Sequence, residues 1–333
     1  MSQHSSPPNK RQRVDDADDL GGTSEPVTTR SPSLWFDDGN VVIQAEATRF
    51  RVYRSILSLH SDILADCFGL PQPEGEPTVD GCPLVHLSDT ANEIQDVYGN
   101  YSVYDHTKPL PFPAVRAMIR LGRKYNFTAF QEEALRRLQK EFPQELNQWN
   151  EKDKYVFTFL EDSPSLLFEL VNFAYENSIQ SILPTAMTWL CLRYPLATII
   201  SGSKISDEKT ISLLPGALEM CLIGRYGLCD VIPGYVDQLV AAYADFIDHC
   251  HDIRECAESF RMFLSEVFGA HAGVKGRVGS FQWQDVVEDD VVNSLCTSCG
   301  PKLTDKYEEL RINAWENVPG YFGFQTWSAL KDL

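Results

Sequence analysis

The residues most able to do chemistry are cysteines near the C-terminal end of the sequence. Cys296 and Cys299 form a C-x-x-C pair followed by Gly300, a spacing that lets both thiolates reach one metal ion in zinc knuckles. A structural zinc ion needs four ligands, and no second C-x-x-C pair is present. We therefore predict free thiols and no cofactor, with zinc held by Cys296 and Cys299 as the alternative. The upstream residues that could complete such a site are His249, Cys250, His251, Cys256 and His271.

The same pair could instead carry out thiol oxidation and reduction. A thioredoxin-type pair stands at a helix start after a strand, whereas this one follows Val291 to Leu295. The acidic residues Glu288 to Asp290 lie just upstream, and negative charge would raise rather than lower a thiol pKa. A thiol oxidoreductase is therefore the alternative from the enzyme class, and we predict that the chain is not an enzyme.

Other catalytic or binding motifs are missing. Asp285 and Glu288 to Asp290 lack the ligand spacing and the glycine of an EF-hand loop, so they indicate a solvated acidic segment. The sequence contains no G-x-G-x-x-G, no P-loop and no G-x-S-x-G nucleophile elbow. No catalytic or cofactor-binding residue is predicted.

Charge argues against nucleic acid as a direct partner. The chain has 47 acidic and 29 basic residues, with a net charge of −18, and a phosphate-binding surface would require the opposite balance. Arg136, Arg137 and Lys140 are predicted to form the charged outer face of a helix.

Composition indicates a globular protein in a reducing compartment. Hydrophobic residues make up 43% of 333 residues, enough to form a core in two domains. Nine irregularly spaced cysteines without an N-terminal signal sequence favour an intracellular protein, either nuclear or cytoplasmic. No apolar run approaches the length of a membrane span.

Residues 1–33 are rich in Ser, Pro, Thr, Asp and Gly and poor in large apolar residues, so a disordered tail is predicted. Within it, Lys10, Arg11 and Arg13 resemble a short basic nuclear-import signal. A solubilising tail of mixed charge is the alternative.

Short strands are predicted after residue 33. The turn-forming residues Asp37 to Asn40 separate the apolar runs Trp35–Phe36 and Val41–Ile43, which favours a hairpin or a bulged strand. Glu46 and Ala47 mark a second reversal, into a strand over 48–53. Within that strand and the helix after it, Phe50, Val52, Ile56 and Leu57 are predicted to form an apolar edge.

Helices then dominate the pattern. Ser58 or Ser61 is a candidate N-cap, and a third strand over 84–87 leads to a helix capped at Ser88–Asp89. Prolines should interrupt helix between Tyr98 and Pro113. Beyond that break, apolar periodicity predicts two helices joined at 126–128, and later helices over 166–174, 187–192, 213–225, 235–250 and 260–268.

The order of these features resembles a BTB/POZ domain over residues 33–143. The resemblance rests on the Asp38-Gly39-Asn40-Val41 turn and strand, FRVYRSIL, the Ser61 to Phe68 spacing, PLVHLSD and LGRKYNF. Tyr53 stands where the family usually has histidine. The C-terminal segment RINAWENVPGYFGFQTWSAL (311–330) resembles the closing signature of a large fungal group of BTB proteins of the basidiomycete type.

The resemblance implies an α+β BTB/POZ fold, a small mixed sheet flanked by helices, over 34–145, followed by an all-α C-terminal domain over 150–333. It also implies a protein–protein interaction module that works by self-association or partner recruitment, with a role in nuclear regulation as one setting. The alternative within this class is a substrate adaptor of a cullin ubiquitin ligase. The partner is therefore expected to be protein, with no membrane and no direct nucleic acid, and the residues of the interaction surface are not identified by the sequence.

Overall fold

The computed structural model describes residues 28–71, 75, 77–101, 108–152, 156–206, 209–268 and 293–332. Its N-terminal half is α+β, built on one five-stranded sheet with the strand order β1–β3–β2–β5–β4. The strands are β1 (Thr29–Trp35), β2 (Val41–Ala45), β3 (Thr48–Val52), β4 (Thr78–Val79) and β5 (Cys82–Leu87).

The central hairpin forms at the second predicted reversal. β2 and β3 are antiparallel, with Val41 opposite Val52 and Ile43 opposite Phe50. Glu46 adopts a positive φ of 50° at the turn, and both pairs of apolar residues are buried. The reversal predicted at Glu46–Ala47 is confirmed.

The first strand differs from the prediction in two ways. β1 pairs with β3 in parallel, so the hairpin predicted between Trp35–Phe36 and Val41–Ile43 is wrong. The alternative prediction of a bulged strand fits the shift in the β1–β3 register between Arg30 and Trp35. A five-residue connection instead carries the chain from the sheet edge past β3 to the central position of β2. β1 also begins at Thr29, so the prediction of disorder is wrong for residues 29–33, where Ser31 is buried. Residues 1–27, including Lys10, Arg11 and Arg13, lie outside the described ranges.

Two short helices, α1 (Arg54–His60) and α2 (Asp62–Gly69), follow the hairpin. Ser61 caps α2, since its hydroxyl accepts a hydrogen bond from Leu64 N–H at 3.0 Å, and this confirms one of the two candidate caps. The guanidinium of Arg54 lies over the ring of Phe68 at 5.6 Å and donates to the Phe68 carbonyl. The start of α1 therefore lies beside the end of α2, and the helices run antiparallel.

Three further helices pack on the sheet and on one another: α3 (Ala91–Tyr101), α4 (Phe112–Tyr125) and α5 (Thr128–Glu141). Thr90 and Glu93 form a capping box at the start of α3, so the cap predicted at Ser88–Asp89 is wrong. α3 extends past Tyr98 as far as Tyr101, and the described residues 108–111 are not helical, so the predicted interruption of helix before Pro113 is confirmed. The predicted join at 126–128 is confirmed, with Asn126 in the left-handed conformation that ends α4.

The C-terminal half is mostly helical, with α6 (Leu146–Asn150), α7 (Leu166–Glu176), α8 (Leu183–Arg193), α9 (Leu196–Ser201), α10 (Pro215–Phe246), α11 (Ile253–Phe268), α12 (Cys299–Glu316) and α13 (Val318–Tyr321). Ser203–Lys204 and Thr210–Ile211 form a small antiparallel sheet, so the all-α prediction is wrong in this detail. The two helices predicted over 213–225 and 235–250 are one helix of 32 residues with Pro233 inside it. No described helix combines the length and the apolar composition needed to cross a lipid bilayer.

The two halves share one continuous hydrophobic core. The ring of Phe112 in α4 meets that of Phe173 in α7 edge-on at 5.8 Å. Leu110 N–H donates to the Phe159 carbonyl at 3.1 Å, and Glu161 N–H donates to the Leu110 carbonyl at 2.9 Å. The boundary between the halves is therefore packed rather than a free linker.

The C-terminal segment closes this core. The indole N–H of Trp315 donates to the Gln144 carbonyl at 2.6 Å, and its ring lies between Trp149 at 5.3 Å and Trp327 at 5.4 Å. The Asp332 carboxylate accepts from Ser181 N–H at 2.9 Å. Trp315 and Trp327 therefore hold the end of the described chain against α6, and Asp332 holds it against the connection before α8.

Candidate functional site

Four cysteines converge where α10, α11 and α12 meet. Cys250 lies in the turn before α11, Cys256 in the first turn of that helix, and Cys299 is the first residue of α12. Cys296 precedes Cys299 by three residues. The fold thus brings the predicted C-x-x-C pair together with two of its candidate upstream partners.

The four side chains form a tight cluster. All four Sγ atoms lie within 4.8 Å of one another, and Cys250 Sγ is 3.9 Å from Cys296 Sγ. Cys256 and Cys299 are buried, whereas Cys250 and Cys296 are partly exposed. The cluster therefore sits at the protein surface with its inner side in the core.

Backbone donors surround the sulfur atoms. Hydrogen bonds from the backbone N–H groups of His251, Cys299 and Ser298 lower the pKa of the Cys296 thiol to about 5. Cys296 N–H in turn donates to Cys256 Sγ at 3.2 Å. Burial raises the pKa of Cys256 to about 11 and raises that of Cys299 as well. The environment of Cys296 therefore favours a thiolate.

This result overturns two expectations. The pair does stand at a helix start, and the pKa of Cys296 falls rather than rises because nearby backbone dipoles act on it. The acidic residues Glu288 to Asp290, which were expected to act on the pair, lie outside the described residues, and so does Asp285.

The sequence indicates Cys250 and Cys256 as candidate ligands, but it does not indicate where they lie in the fold. Their spacing, C-x-x-x-x-x-C, matches no familiar ligand pair, and Cys250 is 46 residues from Cys296. The packing of α10, α11 and α12 on one another brings them together. His249 and His251 contribute no side chain to the cluster, and His271 falls outside the described ranges.

A second notable feature is the outward face of the α1–α2 helix pair. Leu57, Leu64 and Phe68 point into the core, whereas the opposite side exposes Ile56, Leu59 and Ile63. Leu59 is 78% exposed, and Ile56 and Ile63 are each 46% exposed. The prediction that Ile56 belongs to the buried edge is therefore wrong. We call Ile56, Leu59, Ile63 and Leu70 the α1–α2 apolar face.

The basic residues of α5 do not form an exposed patch. The Arg137 side chain is fully buried and pairs with Glu133 at 2.8 Å, and it also donates to the Lys108 carbonyl at 2.7 Å. Arg136 pairs with Glu133 at 2.6 Å. The predicted charged outer face is therefore wrong for Arg137, whose role is to join α5 to the chain around residues 108 and 159.

A cleft of about 400 Å³ lies between α4 and α7. Arg116 and Arg120 lie on one wall and Glu169 and Glu176 on the other, and Arg120 is already paired with Glu93. Its balanced charge favours neither an anion nor a cation, so it is a weaker candidate than the cysteine cluster.

Comparisons with known proteins found no matching family model, no matching curated protein and no matching solved structure.

Proposed function

We propose that the chain is a non-enzymatic protein–protein interaction module of the BTB/POZ type, which acts through self-association or partner recruitment. The observation that carries this proposal is the α1–α2 apolar face, whose members are large apolar residues left in water. Exposed apolar groups that cluster on neighbouring helices are characteristic of protein contact surfaces.

The order of elements supports the family resemblance. A β2–β3 hairpin leads to the antiparallel α1–α2 pair, and β5 then returns to lie parallel to β2. α3 follows, and α4 and α5 close this half as a helical hairpin. This succession follows the order of the sequence motifs on which the resemblance to BTB/POZ domains rests, and it supports the proposal.

The spacing of the exposed residues suits a single contact surface. Ile63 and Cys67 are four residues apart in α2, so they share one helix face, and both are exposed. Ile56 and Leu59 are three residues apart in α1 and share a face in the same way. A second copy of the chain could cover both helices through a two-fold symmetric contact.

The test is the oligomeric state of the full chain, measured by light scattering over a range of concentrations. We expect a dimer in the native chain and a monomer in Leu59→Asp and Ile63→Asp. Burying a leucine contributes about 1.5–3 kcal/mol, and two-fold symmetry doubles the loss from each substitution. The dissociation constant of the dimer should therefore rise about 100-fold or more.

Tyr226→Asp is the matched control, because Tyr226 is 70% exposed on α10, away from α1 and α2. Its dimer should be unchanged. A native chain that remains monomeric at the highest concentration reached would contradict self-association, and dimers that survive both substitutions would exclude the α1–α2 apolar face as the contact.

A thiol oxidoreductase is the second candidate. It is favoured by the contrast between Cys296, whose pKa is lowered to about 5, and Cys299, whose pKa is raised by burial. An insulin-reduction assay with the native chain and with Cys296→Ser separates the candidates, since only an oxidoreductase would show activity that this substitution abolishes.

A further inference from the structure

We propose that Cys250, Cys256, Cys296 and Cys299 bind one zinc ion as a tetrathiolate site that fastens α11 to the start of α12. The mutual approach of all four Sγ atoms to within 4.8 Å carries the proposal. A C-x-x-C pair supplies only two ligands, whereas the folded chain supplies the four that a closed structural zinc site requires. The site is independent of the α1–α2 apolar face, so it stands whether or not the chain self-associates.

The sulfur spacing suits a single metal ion. Zn–S bonds of about 2.3 Å place the ligands of a regular tetrahedron roughly 3.8 Å apart. Cys250 Sγ and Cys296 Sγ are 3.9 Å apart, and the other separations stay within 4.8 Å, so small side-chain rotations complete the geometry. Iron–sulfur clusters place several metal and sulfide ions between their cysteines, so they need cysteine sulfur atoms that lie farther apart.

The surroundings compensate the charge that binding creates. Each thiol releases its proton to solvent when it binds zinc, and four thiolates leave the centre with a net negative charge. The N–H groups of His251, Ser298 and Cys299 point at Cys296 Sγ, and Cys296 N–H points at Cys256 Sγ. The positive end of α12 begins at Cys299 itself. Such donors are the outer contacts that stabilise thiolate ligands.

The position explains what the metal would do. Cys250 and Cys256 lie on one side of residues 269–292, and Cys296 and Cys299 lie on the other. An ion shared by the two cysteine pairs joins the chain before residue 269 to the chain after residue 292. This link restricts the unfolded chain and so favours the folded state. Next to the cluster, Tyr243 of α10 stacks on Phe260 of α11 at 4.2 Å, and Phe263 of α11 meets Tyr307 of α12 at 5.7 Å. The ion would thus stabilise the edge of the aromatic contacts that join α10, α11 and α12.

The first experiment measures metal in the full chain after purification and dialysis, by inductively coupled plasma mass spectrometry. We expect about one zinc per chain. Stoichiometric iron in place of zinc would overturn the assignment, as would a chain that contains no zinc and takes none up in a zinc titration.

Disulfide bonds are the competing use of four adjacent cysteines, and thiol counting separates them from zinc. All nine cysteines should titrate as thiols after denaturation with a chelator and without reductant. A count reduced by two or by four would show disulfides and would overturn the proposal.

Variants then assign the ligands. Cys250→Ser and Cys296→Ser should each weaken zinc binding by at least tenfold, whereas Cys67→Ser, at an exposed position of α2, should retain one zinc per chain. If the ligand variants do not fold, cobalt(II) titration of the native chain decides the matter. The absorption of a tetrahedral cobalt–thiolate centre supports the site, and its absence overturns it.

Discussion

Gly224 shows how one residue permits a close contact in the helical half. It lies on α10 where the ring of Phe322 crosses the helix, and a Cβ placed there would be 2.1 Å from Phe322 Cδ1. Phe322 is itself almost fully buried. The approach of α13 to α10 therefore requires a residue without a side chain at this position.

We expect Gly224→Ala to destabilise the chain by about 1–3 kcal/mol, because the added methyl group overpacks the core. The midpoint of thermal unfolding, followed by circular dichroism, should fall accordingly. Gly234→Ala is the control on the same helix, since a Cβ at Gly234 meets nothing within 4 Å. That change should be neutral or stabilising by up to about 1 kcal/mol. Equal midpoints for the two variants would contradict the close contact.

Residue types alone could not identify the buried charges. Arg137 was predicted to be exposed because arginine usually is, yet its partners include Glu133 within the helix and the carbonyls of Lys108 and Phe159. Glu141 is likewise fully buried and accepts from Thr158 N–H at 3.0 Å. These contacts join segments that are distant in sequence, so no local pattern could have revealed them. The cysteine cluster escaped complete prediction for the same reason.

At the scale of elements, the α1–α2 pair depends on the cap at Ser61. Its hydroxyl accepts from Leu64 N–H at 3.0 Å and also donates to the Tyr125 carbonyl at the end of α4. One side chain thus starts α2 and ties it to another helix.

We expect Ser61→Ala to lower the free energy of unfolding by about 0.5–2 kcal/mol, the usual cost of losing an N-cap. Urea unfolding measures the change. Ser58, the other candidate from the sequence, lies inside α1, and Ser58→Ala should be close to neutral because alanine favours helix. A larger loss for Ser58→Ala than for Ser61→Ala would refute the assignment of the cap.

The elements that the sequence predicted well are those with local signals. The reversal at Glu46–Ala47, the strand over 84–87 and the join between α4 and α5 all carry turn residues or apolar periodicity. α10 was wrongly predicted as two helices, and Pro233, which lies between the two predicted segments, is a residue that normally ends or kinks a helix at a cost of about 3 kcal/mol. Packing of α10 against α8, α12 and α13 offsets that cost, and such packing leaves no local signal.

At the scale of the whole molecule, the shared core contains many buried phenols and thiols. Burial raises the pKa of Tyr98 and Tyr307, and it raises the pKa of Cys191 to about 12. In the folded chain these groups keep protons that the unfolded chain releases at alkaline pH. The contribution of these groups to stability is therefore full below their unfolded pKa values of about 8.5–10 and declines as the pH rises above them.

We expect the urea midpoint to fall between about pH 8 and about pH 11, within the range where free cysteine and tyrosine ionise. Lys152, whose pKa is lowered chiefly by burial, acts in the opposite direction but is outnumbered by these groups. Tyr307→Phe should show a smaller decline over the same interval than the native chain does. A midpoint independent of pH, or the same slope in both proteins, would contradict this account.

The position of Trp315 also has a consequence for synthesis of the protein. During synthesis, Trp149 of α6 leaves the ribosome well before Trp315. In the folded chain the ring of Trp315 covers Trp149, and its indole N–H donates to the Gln144 carbonyl. Until residues 315–332 emerge, α6 and the connection before α8 therefore lack their covering. A chain terminated before this segment would display bare tryptophan and an open core, the features by which chaperones and proteases select incomplete products. The core around α6 is therefore covered only in chains whose translation has passed residue 327.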